Sequence, residues 1–155
     1  MNKKGFTVVE LIAAFTLTMV ISVFLFEILI ESKDIFIETT LKTSIQEKTS
    51  IISKNIRMKI PKGVTSTVVC STNTCTINGN NLINIVATPS NDEVEDYIVI
   101  GSQKIKLPKD GTKPMKIKNI SLSASNGILK ISFTLNSINL TKPYEYNVVF
   151  YYRAS

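Results

Sequence analysis

The stretch FTVVELIAAFTLTMVISVFLFEILI, residues 6–30, decides how the rest of the chain is organised. It contains only two charged residues, Glu10 and Glu27, and none between them. As an α-helix it would be about 37 Å long, which is enough to cross a hydrocarbon layer of about 30 Å. The sequence therefore predicts a transmembrane helix. Because a charge at the bilayer centre costs about 3 kcal/mol, some group is expected to compensate the carboxylate of Glu10.

The residues on either side of this stretch predict its orientation. Lys3 and Lys4 precede it, and positive residues tend to remain on the cytoplasmic side, so the bulk of the chain is expected outside. A secretory signal would carry a small-residue cleavage site after the apolar stretch, where this chain reads FEILIESKD, residues 26–34. Ordinary signal peptidase is therefore not expected to remove the helix.

The helical pattern continues beyond the apolar stretch. Neither proline nor glycine occurs between Phe6 and Lys59, and Pro61 and Gly63 follow directly. In the second half, apolar residues recur at spacings of four and seven, which is typical of an amphipathic helix. These are Ile37, Leu41, Ile45, Ile52 and Ile56. One helix over residues 6–59 is predicted, apolar on all sides at first and on one face later.

Residues 64–153 change to a two-residue period that predicts β-strands. Asn-Gly at positions 78–79 and Gly-Ser at 101–102 interrupt alternating runs, and YEYNVVFYYR, residues 144–153, is predicted as the last strand. The best hairpin signal is IKNISLSASNGILKISFTLN, residues 117–136, centred on Asn126 and Gly127, which suit the positive φ angles of a type I′ turn. The predicted fold class is α+β, with the long N-terminal helix packed on an antiparallel sheet.

Two cysteines lie on the presumed outer side. Cys70 and Cys75 fall in VVCSTNTCTI, residues 68–77, between two β-prone runs. A disulfide is permitted in that compartment and would close a small loop, and the alternative is two free thiols.

The start of the chain resembles the type IV pilin family. The resemblance rests on KKGFTVVEL, residues 3–11, in which a short basic leader ends in glycine, phenylalanine follows, and a carboxylate stands four residues later. An unbroken helix then precedes a β-rich domain, as in that family. The motif covers about residues 3–30, and the likeness over the remainder is architectural.

The resemblance implies a processing site and an assembly residue. A prepilin peptidase would cut after Gly5 and methylate the new amine of Phe6. Glu10 would then meet the N-terminal amine of Phe6 in a neighbouring subunit, as helices bundle in a fibre. An acid and an ammonium about 4 Å apart attract by roughly 4 kcal/mol at an effective dielectric constant of about 20, which is comparable to the cost of holding the acid in lipid.

With this resemblance, the chain divides into four expected parts: a leader at 1–5, a transmembrane and filament-core helix at 6–30, its amphipathic continuation at 31–60, and a globular β-rich head at 61–155. The implied function is that of a structural subunit, favoured as a minor pilin, of a type IV pilus or of a related secretion or DNA-uptake filament. Its implied partners are other subunits, the prepilin peptidase, an inner-membrane assembly platform and, before assembly, membrane lipid. An unprocessed, signal-anchored surface protein remains an alternative. The abundance of Ile, Lys and Asn indicates an AT-rich genome and a Gram-positive cell surface.

The sequence offers few of the side chains that catalysis requires, so no enzyme activity and no cofactor are expected. The chain has no histidine, which excludes Ser-His and Cys-His pairs and leaves a zinc site short of ligands. The acidic run NDEVED, residues 91–96, lacks the spacing of a calcium-binding EF-hand loop and is interpreted as a solvated turn.

A lysine-rich segment leaves DNA binding open as an alternative function. The formal net charge is +6, a mild surplus that specifies no partner. Six lysines fall close together in one predicted strand and in the loop and strand that follow, and such a surface could contact phosphates. They are Lys104, Lys106, Lys109, Lys113, Lys116 and Lys118. Aromatic residues do not alternate with them, so a solvated basic face is the other interpretation.

Overall fold

The computed structural model describes residues 7–88, 95–111 and 113–155. Within them lie one α-helix, α1 (Val8–Lys59), and twelve strands. The strands are β1 (Thr65–Ser66), β2 (Val68–Cys70), β3 (Thr74–Ile77), β4 (Asn80–Val86), β5 (Tyr97–Ile100), β6 (Gln103–Lys106), β7 (Lys109–Asp110), β8 (Lys113–Pro114), β9 (Lys116–Ser125), β10 (Ile128–Asn136), β11 (Tyr144–Tyr151) and β12 (Arg153–Ala154). The chain divides into two compact units, Met1–Ile37 and Glu38–Ser155. The predicted α+β layout, a long helix with antiparallel sheets, is confirmed.

Helix α1 is uninterrupted over 52 residues, as the absence of internal proline and glycine predicts. It ends just before Pro61, and Gly63 follows with a φ of +74°, a left-handed conformation that glycine adopts without strain. Every side chain from Thr7 to Phe36 is exposed. The first unit is therefore an apolar helix with no covering layer in the described part of the chain, and it is long and apolar enough to span a membrane.

In the second unit one face of α1 enters a hydrophobic core. Its buried residues are Leu41, Ile45, Thr49, Ile52 and Ile56, at helical spacings of four, four, three and four. Four of them were predicted from the apolar pattern, whereas Thr49 was not. The Thr49 hydroxyl donates to the carbonyl of Ile45 at 3.0 Å, so the buried polar atom is satisfied within the helix. Burial of each isoleucine contributes roughly 1.5–3 kcal/mol, which fixes this half of α1 to the sheets.

The largest sheet has five strands in the order β2-β3-β4-β5-β6. Each strand pairs antiparallel with the next along the chain, so the sheet is a meander built from local connections. The turn between β3 and β4 contains the predicted Asn78 and Gly79, both with positive φ. Inward side chains such as Leu82, Ile85 and Ile98 are buried in the same core as α1.

The second sheet has three antiparallel strands in the order β11-β10-β9. Its central hairpin turns at Asn126 and Gly127, whose φ angles are +49° and +75°. The predicted hairpin and the positive φ angles of its turn are confirmed. Strand β11 lies at the edge of this sheet, and its side chains alternate between the core, where Tyr146 and Phe150 are buried, and solvent.

Two short strand pairs complete the second unit. Strand β1 pairs in parallel with β12, which brings Thr65 next to Arg153 although they are far apart in sequence. Strand β7 pairs with β8 in a small separate hairpin. Neither pair was predicted, because two-residue strands carry no period that can be read from the sequence.

Candidate functional site

The N-terminus of α1 holds the predicted assembly residue, Glu10. One oxygen of its carboxylate, Oε2, accepts hydrogen bonds from the backbone N–H and the hydroxyl of Thr7, each at 2.9 Å. In return, the backbone N–H of Glu10 donates to the Thr7 hydroxyl at 3.3 Å. This reciprocal arrangement is a capping box, which satisfies donors that the first turn of a helix leaves unpaired. The carboxylate therefore has partners within its own chain.

The sequence itself carries a signal for this arrangement. Residues 7–10 read TVVE, and Ser or Thr followed three residues later by Glu is the signature of a capping box. The contact of Glu10 with a neighbouring subunit stays a prediction. In the single chain the cap supplies hydrogen-bond donors to the carboxylate, and a second chain could still contact it.

The two predicted processing residues, Gly5 and Phe6, lie outside the described residues. Processing between them therefore stays a prediction. The first helical residue, Val8, follows them closely in sequence, so the leader would end just before the helix begins.

The polar side chains inside the apolar half of α1 are satisfied locally. The Thr16 hydroxyl donates to the carbonyl of Ala13 at 2.9 Å, and Ser22 donates to the carbonyl of Thr18 at 2.7 Å. Hydroxyls that bond back to the helix cost little in a lipid environment, where water cannot satisfy them. Glu27, in contrast, has no ion pair in the part of the chain that the structure describes.

The two cysteines are joined by a disulfide. Cys70 and Cys75 face each other across the pair formed by β2 and β3, and their Cα atoms are 4.1 Å apart. Cys75 is fully buried, and the backbone N–H of Ser71 donates to the carbonyl of Thr74 at 2.8 Å within the loop that the bridge closes. The bridge therefore links adjacent strands of the five-stranded sheet. Within residues 7–88, 95–111 and 113–155, no cluster of metal-ligating side chains occurs.

The six lysines of the predicted basic surface differ in their contacts, and a basic surface formed by them stays a prediction. The Lys104 ammonium lies 3.5 Å from the ring centroid of Tyr97, and Lys106 and Lys109 contact the carboxylate of Glu95 at 2.9 and 2.6 Å. Lys104 and Lys106 do share one exposed face of β6, as the alternation predicts.

The other three lysines differ in their surroundings. The Lys116 ammonium is largely buried, 2.8 Å from the Thr88 hydroxyl and 3.7 Å from the Asp96 carboxylate. Lys113 and Lys118 line a small cleft of about 250 Å³ next to Asp110, whose carboxylate accepts hydrogen bonds from Ser137 and Asn139. Lys116 lines the same cleft, and carboxylates of the same unit balance the charges of Lys106, Lys109 and Lys116.

The interpretation of the acidic run as a solvated turn is wrong for Asp96. This residue is 1% exposed, and its carboxylate accepts hydrogen bonds from the Thr88 backbone N–H at 2.9 Å, the Thr88 hydroxyl at 2.6 Å and the Ile117 backbone N–H at 2.7 Å. Thr88 follows β4 and Ile117 lies in β9, so one carboxylate connects the two large sheets. The physical reason is that three donors and a nearby ammonium compensate its burial. Residues 91–94 lie outside the described part.

Glu95, next to it in sequence, is expected to make stability depend on pH. Hydrogen bonds from Lys109 and Lys106 lower its pKa from 4.5 to about 2. A carboxyl whose pKa is lower in the folded chain stabilises it above the unfolded pKa, and this contribution is lost as the pH falls from about 4.5 through about 2. We therefore expect Glu95→Gln to flatten the pH dependence of unfolding in that window.

The measurement is urea unfolding of both chains at several pH values across the window. Glu145→Gln is the matched control, because Glu145 is exposed on β11 and has no ion pair in the described ranges. If both substitutions change the pH dependence equally, the two lysines do not stabilise the charged form of Glu95.

Comparison with protein-family models, with curated proteins and with solved structures found no match to this chain.

Proposed function

We propose that the chain is a prepilin-type structural subunit, cut after Gly5 and assembled through α1 into a type IV pilus or a related secretion or DNA-uptake filament. A minor subunit is the favoured form, and its role is structural, not enzymatic. The observation that carries the proposal is the combination of KKGFTVVEL, residues 3–11, with an uncovered apolar helix that continues into a folded β-rich unit.

The exposed helix supports this proposal because an apolar surface of that size is unfavourable in water and is expected to contact lipid or other protein. From Thr7 to Phe36 no side chain is buried, and large apolar residues face all directions. Lipid covers such a surface before assembly, and the equivalent helices of neighbouring subunits cover it in a filament core. A helix of this kind would serve both states without changing its fold.

Glu10 fits a transfer between these two states. In the single chain its carboxylate accepts two hydrogen bonds from Thr7, which are neutral donors. The amine of a neighbouring Phe6 would add a full positive charge, which the two neutral donors lack, and its attraction to the carboxylate is roughly 4 kcal/mol at about 4 Å and an effective dielectric constant of about 20. Assembly would thus be favoured at this position, while the cap keeps the carboxylate compensated in the membrane.

The proposed topology follows from the same residues. Lys3 and Lys4 hold the N-terminus in the cytoplasm, where the prepilin peptidase and the assembly platform of the membrane act. The second unit lies outside, where a disulfide between Cys70 and Cys75 persists. After assembly the subunit is part of a cell-surface filament, in a cell that we propose to be a Gram-positive bacterium.

The test is the mass of the N-terminal peptide of the protein isolated from its own cells, in the membrane fraction and in the fraction sheared from the surface. We expect the peptide to begin at Phe6 and to carry one added methyl group. The physical reason is that Gly5 offers no side chain at the scissile bond and permits an extended backbone before the helix.

A matched pair of variants sharpens this test. Gly5→Leu is expected to leave the peptide beginning at Met1 and to remove the protein from the sheared fraction. Asn2→Leu, which changes the leader away from the scissile bond, is expected to be processed normally. A wild-type peptide that begins at Met1 in the sheared fraction would instead indicate an unprocessed, signal-anchored surface protein.

A further inference from the structure

A basic groove lies in the second unit, between the end of α1 and the last strands. It is open, has a volume of about 550 Å³, and is lined by residues 60–63 and 149–153 together with Arg57. The lining includes residues on both sides of the break between β11 and β12. The groove therefore combines the C-terminal end of a helix with the edge strand of a sheet.

The charge of this groove is unbalanced. Arg57, Lys62 and Arg153 line it, and none of its described lining residues is acidic. None of the three cations has an ion pair in the ranges that the structure describes. Apolar surface lies beside them, since Tyr151 is 77% exposed and Val149 is 44% exposed. Such a surface fits a partner that presents carboxylates next to apolar side chains.

The same chain presents a complementary surface on α1. Glu27, Glu31 and Asp34 are spaced by four and three residues, so they lie on one face of the helix over about 10 Å. All three are exposed, and no ion pair to them occurs in the described residues. Exposed Ile30 and Ile35 flank them. We call these three residues the acidic stripe.

We propose that the basic groove binds the acidic stripe of a second copy of this chain. This contact deepens the proposed filament function and rests on it. Because the groove and the stripe are different surfaces, each copy offers one to the copy before it and the other to the copy after it. A heterologous contact of this kind propagates into an open assembly when its rotation does not close a ring. It also supplies a partner for Glu27, whose carboxylate has no ion pair among the described residues.

Two charge-reversed variants test this contact. The groove variant carries Lys62→Glu and Arg153→Glu, and the stripe variant carries Glu31→Lys and Asp34→Lys. Each is the full chain, extracted in mild detergent from the membranes of the cells that make it and given one of two purification tags. The measurement is the fraction of one tagged form that cross-links to the other, at low and at high salt.

Each variant mixed only with itself presents like charges across the contact, so its cross-linking is expected to fall about tenfold or more relative to wild type. When the two variants are mixed, the normal stripe of one meets the normal groove of the other, and the reversed surfaces also match. Cross-linking is therefore expected to recover in the mixture and to decrease at high salt. Recovery also shows that both variants are folded.

Controls of equal charge change use exposed residues elsewhere. Lys118→Glu with Lys142→Glu matches the groove variant, and Glu47→Lys with Glu145→Lys matches the stripe variant. Both controls should cross-link as wild type does. If the mixture does not recover although each variant unfolds in urea as wild type does, the proposal is overturned. It is also overturned if wild-type copies do not cross-link and groove reversal changes only the retardation of added DNA.

The failure of this contact and the failure of the proposed function are distinguishable. If the N-terminal peptide begins at Phe6 and the groove variant by itself still assembles into filaments, the proposed contact is overturned. The proposed function as a filament subunit is then retained. A peptide that begins at Met1, together with recovery in the mixture, overturns filament assembly and leaves a self-associating membrane protein.

Discussion

Replacing Asp96 with alanine is expected to lower the free energy of unfolding by about 3–5 kcal/mol, because breaking a buried charged cluster leaves its partners uncompensated. The carboxylate accepts from two groups of Thr88 and from the backbone of Ile117, and it lies 3.7 Å from the Lys116 ammonium. Alanine removes the acceptor and leaves the buried N–H of Ile117 without this bond. It also removes one link between the two large sheets.

The measurement is urea unfolding of the full chain in detergent micelles, followed by the circular dichroism of its sheets. Glu95→Ala is the matched control, because it removes the neighbouring carboxylate, which is bound to two exposed lysines. Its effect should be much smaller, since exposed ion pairs are screened by water. An Asp96→Ala chain as stable as the Glu95→Ala chain would show that the buried carboxylate does not hold the sheets together.

Replacing Gly127 with alanine is expected to cost about 2–4 kcal/mol, from a left-handed backbone and from a clash. Its φ is +75°, and a Cβ atom at this position would lie 2.6 Å from the carbonyl oxygen of Tyr152. That neighbour is backbone, held by the hydrogen bond from the Tyr152 N–H to the Gly127 carbonyl at 2.8 Å. The last strands would have to move away from the turn.

Gly79→Ala separates the two causes, because Gly79 also follows an asparagine in a hairpin turn. Its φ is +78°, and a Cβ atom there would meet nothing within 4 Å. It should therefore show only the cost of the backbone conformation, about 1–2 kcal/mol. Urea unfolding of the two variants measures the difference, and equal losses would mean that Tyr152 can move aside at no cost.

The helix and the principal hairpins could be predicted because each has a signal within a short stretch of sequence. An interval without proline or glycine predicts α1, and the Asn126-Gly127 pair predicts its hairpin, since each depends on a few adjacent backbone angles. The capping box at Thr7 and Glu10 was equally local and was readable from its spacing.

The roles of charged residues in the second unit could not be predicted in the same way. Lys116 and Lys118 have the same strand propensity and lie in the same alternating segment. Lys118 is nevertheless exposed, whereas Lys116 contacts Asp96 and Thr88. Which lysine meets which carboxylate depends on how two sheets pack, and no short sequence window records that packing. The ion pairs of Lys106, Lys109 and Lys116 therefore depend on residues outside the lysine-rich segment.

The long helix, its apolar first half and the principal hairpins follow from local sequence, because chain stiffness, backbone conformation and hydrophobic period act over a few residues. The burial of Asp96 and the basic groove, where residues 57–63 meet residues 149–153, depend instead on how the elements pack together. The parallel pairing of β1 with β12 likewise depends on tertiary packing. These features join segments far apart in the chain, and the free energy that selects them comes from core burial and charge compensation, which exist only once the sheets have packed.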